Sequence, residues 1–187
     1  SELLCEAGAK LDPVIASAIY ATIVADTGSF RFSNTTSDLM RLSGDLIDLG
    51  ADPQLIHRGV LGTYSRAKLR LLGATVDGTR LSSDGRLAWY ALSRARILEA
   101  GATEADAEGL VEYLRLVEGV NVAIYFVEVE PGVVKLSFRS APGIDVNRLA
   151  GTWGGGGHRH ASGALLRGDL DAIVAEVVAR AEATVLS

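Results

Sequence analysis

Apolar residues recur at helical spacing through the first third of the chain. A helix over residues 13–25, with Pro13 in its first turn, is predicted by the apolar face of Ile15, Ala18, Ile19, Thr22 and Ile23. A second predicted helix is capped by Thr36, ends at Gly50 and places four leucines on one face. Asp52-Pro53 starts a third, shorter helix. The segment DTGSFRF, residues 26–32, interrupts this helical region as a predicted loop.

The remainder of the chain alternates between strand-like and helix-like patterns. Predicted helices cover 65–76, a segment that starts at Thr103 and runs to Val117, 145–150 and 169–186. Predicted strands cover 78–82, 86–92, 121–130, 133–140 and 161–168, with a hairpin turn at Pro131-Gly132. This order predicts an α/β fold, with a domain boundary near residue 66.

The strand VVKLSFRS, residues 133–140, alternates strictly between apolar and polar positions. Val134, Leu136 and Phe138 are predicted on one face, and Lys135, Ser137 and Arg139 on the other. An ordinary solvated sheet face would produce the same alternation. Arg139 is nevertheless a candidate anion ligand, because a guanidinium group matches phosphate with two parallel hydrogen bonds.

Composition narrows the classes of function. The 187 residues are 48% hydrophobic, 22% charged and carry a formal net charge of −5, which is typical of a globular protein. An acidic balance disfavours a protein that coats long nucleic acid but leaves room for a small anionic ligand. The single cysteine, Cys5, excludes an internal disulfide, and no apolar run of 18 residues or leader is present, so we expect a cytoplasmic protein.

Four consecutive glycines, Gly154–Gly157, precede His158. Without Cβ atoms, their backbone N–H groups are predicted to form a concave nest for phosphate oxygens, with His158 as a further donor. Neither a P-loop nor a dinucleotide fingerprint fits the residues around the run. A flexible loop is the plainer alternative, and zinc binding by His158 and His160 is disfavoured because the lone cysteine is distant in sequence.

Three segments together resemble the DHH phosphoesterase family, in the branch that carries the DHH-associated C-terminal domain: ADTGSFRF (25–32), LSFRS (136–140) and GGGGHRHASG (154–163). The resemblance implies an α/β protein in two parts. Residues 1–66 would be the helical C-terminal remnant of a Rossmann-like DHH domain, and residues 67–187 a complete associated domain with a mixed sheet. Residues 63–72 would connect the two.

The resemblance also assigns roles to individual residues. It implies that Asp26 is a catalytic metal ligand, and that Arg139, Ser140, Gly155, Gly156, Gly157 and His158 hold substrate phosphate and sugar. His160 has no clear counterpart.

Family catalysis is similar to two-metal hydrolysis and implies two Mn²⁺ ions in an intact active site. The aspartate-rich strand motif and the Asp-His-His signature that supply most of their ligands are absent from this sequence. The opening SELLCEAG looks like an amphipathic helix without an initiator methionine, so we expect a fragment that binds nucleotide weakly and hydrolyses almost nothing.

The implied substrates are short oligoribonucleotides, 3′-phosphoadenosine 5′-phosphate, or cyclic di-AMP and pApA, and the implied assembly is a homodimer. A non-catalytic RNA- or tRNA-binding or oligomerisation module, as in alanyl-tRNA synthetases, is the main alternative, and a scaffold unit is another. DTGSFRF and the acidic balance favour the phosphoesterase.

Overall fold

The computed structural model describes residues 12–32, 34–62 and 64–185. They divide into two compact units, one before and one after residue 63, where the sequence predicts a boundary near residue 66. The predicted amphipathic segment at residues 1–8, which contains Cys5, lies outside the described residues. No helix in the described part of the chain combines the length and apolar character needed to cross a lipid bilayer.

Unit 1 consists of helices in its described residues: α1 (Pro13–Asp26), α2 (Ser37–Asp48) and α3 (Pro53–Leu61). Each begins at a polar side chain that accepts hydrogen bonds from the first turn: Asp12, Thr36 and Asp52. The apolar faces meet in a core of Ala16, Tyr20, Ile23, Val24, Leu46, Ala51 and Ile56. The three helices predicted from the sequence are confirmed.

Unit 2 combines a sheet with helices on both faces. Its helices are α4 (Arg66–Gly78), α5 (Arg94–Glu99), α6 (Glu104–Ala107), α7 (Val111–Arg115), α8 (Val146–Gly151) and α9 (Leu170–Val185). Its strands are β1 (Arg80–Leu81), β2 (Leu87–Leu92), β3 (Val122–Glu130), β4 (Val133–Ser140), β5 (Gly156–His158) and β6 (Ala161–Arg167).

The sheet of the described residues has the order β1-β2-β3-β4-β6-β5. Strands β2 and β3 are parallel, and the other neighbours are antiparallel, so the predicted mixed sheet is confirmed. One face packs on α8 and α9 through Leu136, Phe138, Leu149 and Val177. The other face packs, at β2 and β3, on a core that includes Leu71, Tyr90, Leu114 and Tyr125.

Two predictions about unit 2 are wrong. The single helix predicted from Thr103 to Val117 is broken into α6 and α7, because Glu108 is extended and Gly109 has a φ of 79°. The end of the glycine run, predicted as part of a concave nest of amides, forms with His158 the edge strand β5 at Gly156–His158. Sequence patterns missed β5 because glycine carries no side chain whose alternation would indicate a strand.

Close approach between the β5 segment and β6 explains two of these glycines. A methyl group on Gly155 would overlap the carbonyl oxygen of Gly163 and lie 2.8 Å from the Ala164 Cα. A methyl group on Gly157, where φ is 145°, would lie 2.6 Å from the carbonyl oxygen of Ala161. Only residues without Cβ let the two backbones pair at this distance.

We therefore expect Gly155→Ala to lower the free energy of unfolding by about 1–3 kcal/mol, because the clash is with backbone that has little room to move. Gly151→Ala is the matched control: a Cβ there meets nothing within 4 Å, and the residue ends a helix. It should change stability by less than about 0.5 kcal/mol or raise it slightly. Urea unfolding measures both, and equal effects would contradict the steric explanation.

Candidate functional site

Strand pairing places Arg139 and His158 in one row across the sheet. Arg139 of β4 is opposite Ala161 of β6, which in turn is opposite His158 of β5. Directly paired residues point to the same face of a sheet, and two strand spacings amount to about 10 Å. The structure thus brings together the two side chains that the sequence singled out as anion ligands.

These residues belong to a region of the sheet that the helices of unit 2 leave partly exposed, which we call the open sheet face. It consists of alternate residues of three strands: Lys135, Ser137, Arg139, Gly156, His158, Ala161, Gly163 and Leu165. The row between Lys135 and Arg139 is Ser137, Gly163 and Gly156, with little or no side chain. The face therefore has a flat floor that a planar or extended ligand could approach closely.

Carboxylates from α6 and α7 border this face and contact its basic residues. Arg139 Nε donates to Glu112 Oε1 at 2.5 Å, and Arg139 Nη1 donates to the carbonyl oxygen of Phe138 at 2.9 Å. Lys135 Nζ lies 2.8 Å from Glu104 Oε1 and 3.7 Å from Glu108. The basic row predicted from β4 is therefore paired with three glutamates.

The pKa of Lys135 is raised, first by the hydrogen bond to Glu104, while partial burial opposes the shift. Lys135 is thus held as a cation that already has partners. Sequence reasoning missed these glutamates because at 104, 108 and 112 they resemble the solvated side of one helix.

The first two amides of the glycine run are not available for the predicted nest. The N–H of Gly154 donates to the carbonyl oxygen of Gly151 at 3.1 Å, and that of Gly155 to Ala150 at 3.0 Å. Gly156 and Gly157 are paired with β6. The first glycines of the run end α8, and the last two belong to β5. Because they have no side chains, β5 can approach β6 closely, and this pairing places His158.

Ser140 is not brought together with Arg139. Strand alternation directs its side chain to the opposite face, where its hydroxyl donates to the carbonyl oxygen of Ile144 at 2.8 Å. Its Oγ also lies 3.1 Å from His160 Nδ1. Ser140 and His160 thus fasten the turn between β5 and β6 to the end of β4, a structural contact that sequence reasoning left unassigned.

In unit 1, Asp26 is the exposed last residue of α1. The following loop is tightly bonded: Thr27 is buried, its hydroxyl donates to Ile23 and accepts from the N–H of Phe30 at 3.0 Å. Ser29 and Phe30 adopt left-handed φ values of 60° and 64°. Strained non-glycine residues of this kind tend to cluster at functional sites.

The described residues do not fit a pair of manganese ions. Asp26 supplies one carboxylate, and the described part of the chain holds no group of three or more His, Cys, Asp or Glu side chains that could hold a metal ion. A two-metal centre needs several such ligands around ions about 3.5–4 Å apart. The same result leaves His158 and His160 without further zinc ligands among the described residues.

Ser29→Gly is expected to stabilise unit 1 by about 0.5–1 kcal/mol, because it relieves a left-handed backbone and removes a buried hydroxyl that has no partner in the structure. Ser17→Gly, in the middle of α1, is the control and should destabilise by a similar amount. Thermal unfolding distinguishes them. A loss of stability in Ser29→Gly would show that the loop is not strained.

Comparison with known proteins agrees with this architecture. The chain is 34% identical over 166 residues to the bifunctional oligoribonuclease and PAP phosphatase NrnA of Thermus thermophilus, and 33% identical over 159 residues to that of Bacillus subtilis. The alignments cover 88% and 85% of this chain and 49% and 50% of those proteins. The chain thus spans about half the length of the curated relatives it matches.

A solved structure, of an exopolyphosphatase-related protein from Bacteroides fragilis, superposes with a TM-score of 0.89 at 28% identity, covering 96% of this chain and 53% of that one. Residues 88–183 match the DHHA1 domain, and this span contains β3 to β6, all of β2 except Leu87, and the whole open sheet face. The chain belongs to the DHHA1 domain family.

Proposed function

We propose that the chain supplies the nucleotide-binding part of a phosphoesterase that acts on short oligoribonucleotides or on 3′-phosphoadenosine 5′-phosphate. Relatives whose names state these two activities match most of the chain. The observation that carries the proposal is the shared row of Arg139 and His158 on the open sheet face.

Arg139 is the phosphate ligand in this proposal. Phe138 and Glu112 hold its guanidinium group at Nη1 and Nε, and the side chain is 28% exposed, so little rotamer freedom is lost on binding. An incoming phosphate competes with Glu112 for the same cation. Glu112 therefore positions Arg139 and at the same time lowers its affinity for anions.

His158 lies at the far end of the same row, where an exposed imidazole is available to donate to a second phosphate oxygen or to a ribose hydroxyl. Ala161 lies between the two ligands, and the neighbouring row of Ser137, Gly163 and Gly156 has room for the nucleoside, because Gly156 and Gly163 have no Cβ. This arrangement favours a short nucleotide over a long duplex.

Hydrolysis of the bound nucleotide needs groups other than those that bind it. Family members use paired metal ions, and the described donors of this chain do not fit such a pair, so no chemical step is derived through a metal. Asp26 is proposed as one carboxylate of a larger active site. The two Mn²⁺ ions, cyclic di-AMP as a substrate and the homodimer stay predictions.

Substitutions at the ion pair test the binding proposal. Arg139→Gln should weaken binding of pApA about tenfold or more, because a charge-assisted phosphate contact is lost. Glu112→Gln should strengthen it about two- to fivefold, because a competing carboxylate is removed. Glu118→Gln, the same change at an exposed position outside the open sheet face, is the control. Isothermal titration calorimetry measures all three.

If Glu112→Gln and Glu118→Gln shift the affinity equally, the effect is one of net charge and the proposal fails. Binding of tRNA at physiological salt that exceeds binding of pApA would favour the RNA-binding alternative.

We also expect the chain alone to hydrolyse pApA no faster than buffer, even with added Mn²⁺, since Asp26 is a single carboxylate. Chromatographic analysis of AMP release measures this. Robust manganese-dependent turnover by the purified chain would contradict the division between binding and chemistry.

A further inference from the structure

A cavity lined by basic side chains lies on the opposite face of the sheet from Arg139 and His158. Its volume is about 460 Å³, and three arginines from separate elements line it: Arg148 of α8, Arg159 of the turn between β5 and β6, and Arg180 of α9. Because α8 and α9 cover the Leu136 and Phe138 side of the sheet, the sheet separates this cavity from the open sheet face.

Basic side chains outnumber acidic ones in the lining of this cavity, in contrast to the chain as a whole. The chain as a whole is acidic, with a net charge of −5. The ionisable side chains that line the cavity are three arginines and one carboxylate, that of Asp145. The Asp145 carboxylate is already engaged, since its Oδ1 accepts from the backbone N–H groups of Asn147 and Arg148.

Two of the arginines have no carboxylate partner. Within residues 12–32, 34–62 and 64–185, neither Arg148 nor Arg159 forms an ion pair, whereas Arg41, Arg86, Arg96 and Arg139 each do. The guanidinium groups of Arg148 and Arg159 line the same cavity without a carboxylate partner and repel one another, so an anion bound there is stabilising. Guanidinium groups bind phosphoryl oxygens through parallel hydrogen bonds, which selects phosphate over a simple monovalent anion.

The rest of the lining indicates the kind of ligand. Ile144 and Leu149 add an apolar wall, and Thr152 adds a hydroxyl. The volume is within the range of small-molecule sites. An apolar wall beside several arginines suits a compact molecule that carries more than one phosphoryl group.

We propose that Arg148, Arg159 and Arg180 form a second binding site of this chain, for a small ligand with a diphosphate or similar multiply charged phosphoryl group. The site lies on the other side of the sheet from the proposed nucleotide-binding face. It is connected to that face through the chain, because Arg159 follows His158 directly and its carbonyl oxygen accepts from the N–H of Val146, the first residue of α8, at 2.9 Å.

Inorganic pyrophosphate is the probe for the test. It is titrated into the ¹⁵N-labelled chain, and guanidinium and backbone signals are followed by NMR. Pyrophosphate should shift the signals of Arg148, Arg159 and Thr152. Arg148→Gln should weaken pyrophosphate binding about five- to tenfold, and the double variant Arg148→Gln, Arg159→Gln should weaken it more strongly. Arg167→Gln is the matched control, because Arg167 is an exposed arginine of β6 outside the cavity lining.

The proposal is overturned if Arg167→Gln weakens pyrophosphate binding as much as Arg148→Gln does. It is also overturned if the NMR shifts occur at Arg139 and His158 and not at Arg148 and Arg159. The two sites are separable, because Arg139→Gln should weaken pApA binding and leave the pyrophosphate-induced shifts of Arg148 and Arg159 unchanged. If the double variant loses the dispersed spectrum of the folded chain, the single Arg148→Gln variant decides the result.

Discussion

The site depends on the close pairing of β5 with β6. This pairing adds a sixth strand to the sheet of unit 2 and places His158 in register with Ala161 and Arg139. It requires that Gly155 and Gly157 have no Cβ, because backbone atoms of β6 occupy the space that a side chain would need. The glycine run therefore serves the site through sterics rather than through a cup of free amides.

The second constraint is electrostatic. Arg139 and Lys135 face glutamates at 2.5–2.8 Å, so the open sheet face is close to neutral before a ligand binds. Such pairing orients the cation and reduces binding of arbitrary anions, since any ligand has to displace or share Glu112. Half-exposed ion pairs of this kind contribute little to stability, so their main effect is on the affinity and selectivity of the face.

Much of the fold follows from the sequence, because helical periodicity, polar caps and the alternation of β4 specify most of its elements, although not α5. Prediction failed where side chains are small or have partners distant in sequence. Strand β5 has no alternation to detect, the helix after Thr103 is broken by the left-handed Gly109, and the pairing of Glu112 with Arg139 joins residues 27 positions apart. Arg139 and His158, both predicted as anion ligands, lie in one row of the sheet with Ala161 between them. The arginine cavity gives no local pattern, because its three cations come from separate elements.

The most direct measurement of the central claim is a crystal structure of the chain with pApA bound. The account predicts the 5′-phosphate within hydrogen-bond distance of the Arg139 guanidinium, the nucleoside over Gly156 and Gly163, and His158 in contact with the ligand. A phosphate bound elsewhere, with Arg139 still bonded to Glu112 and the open sheet face empty, would contradict it.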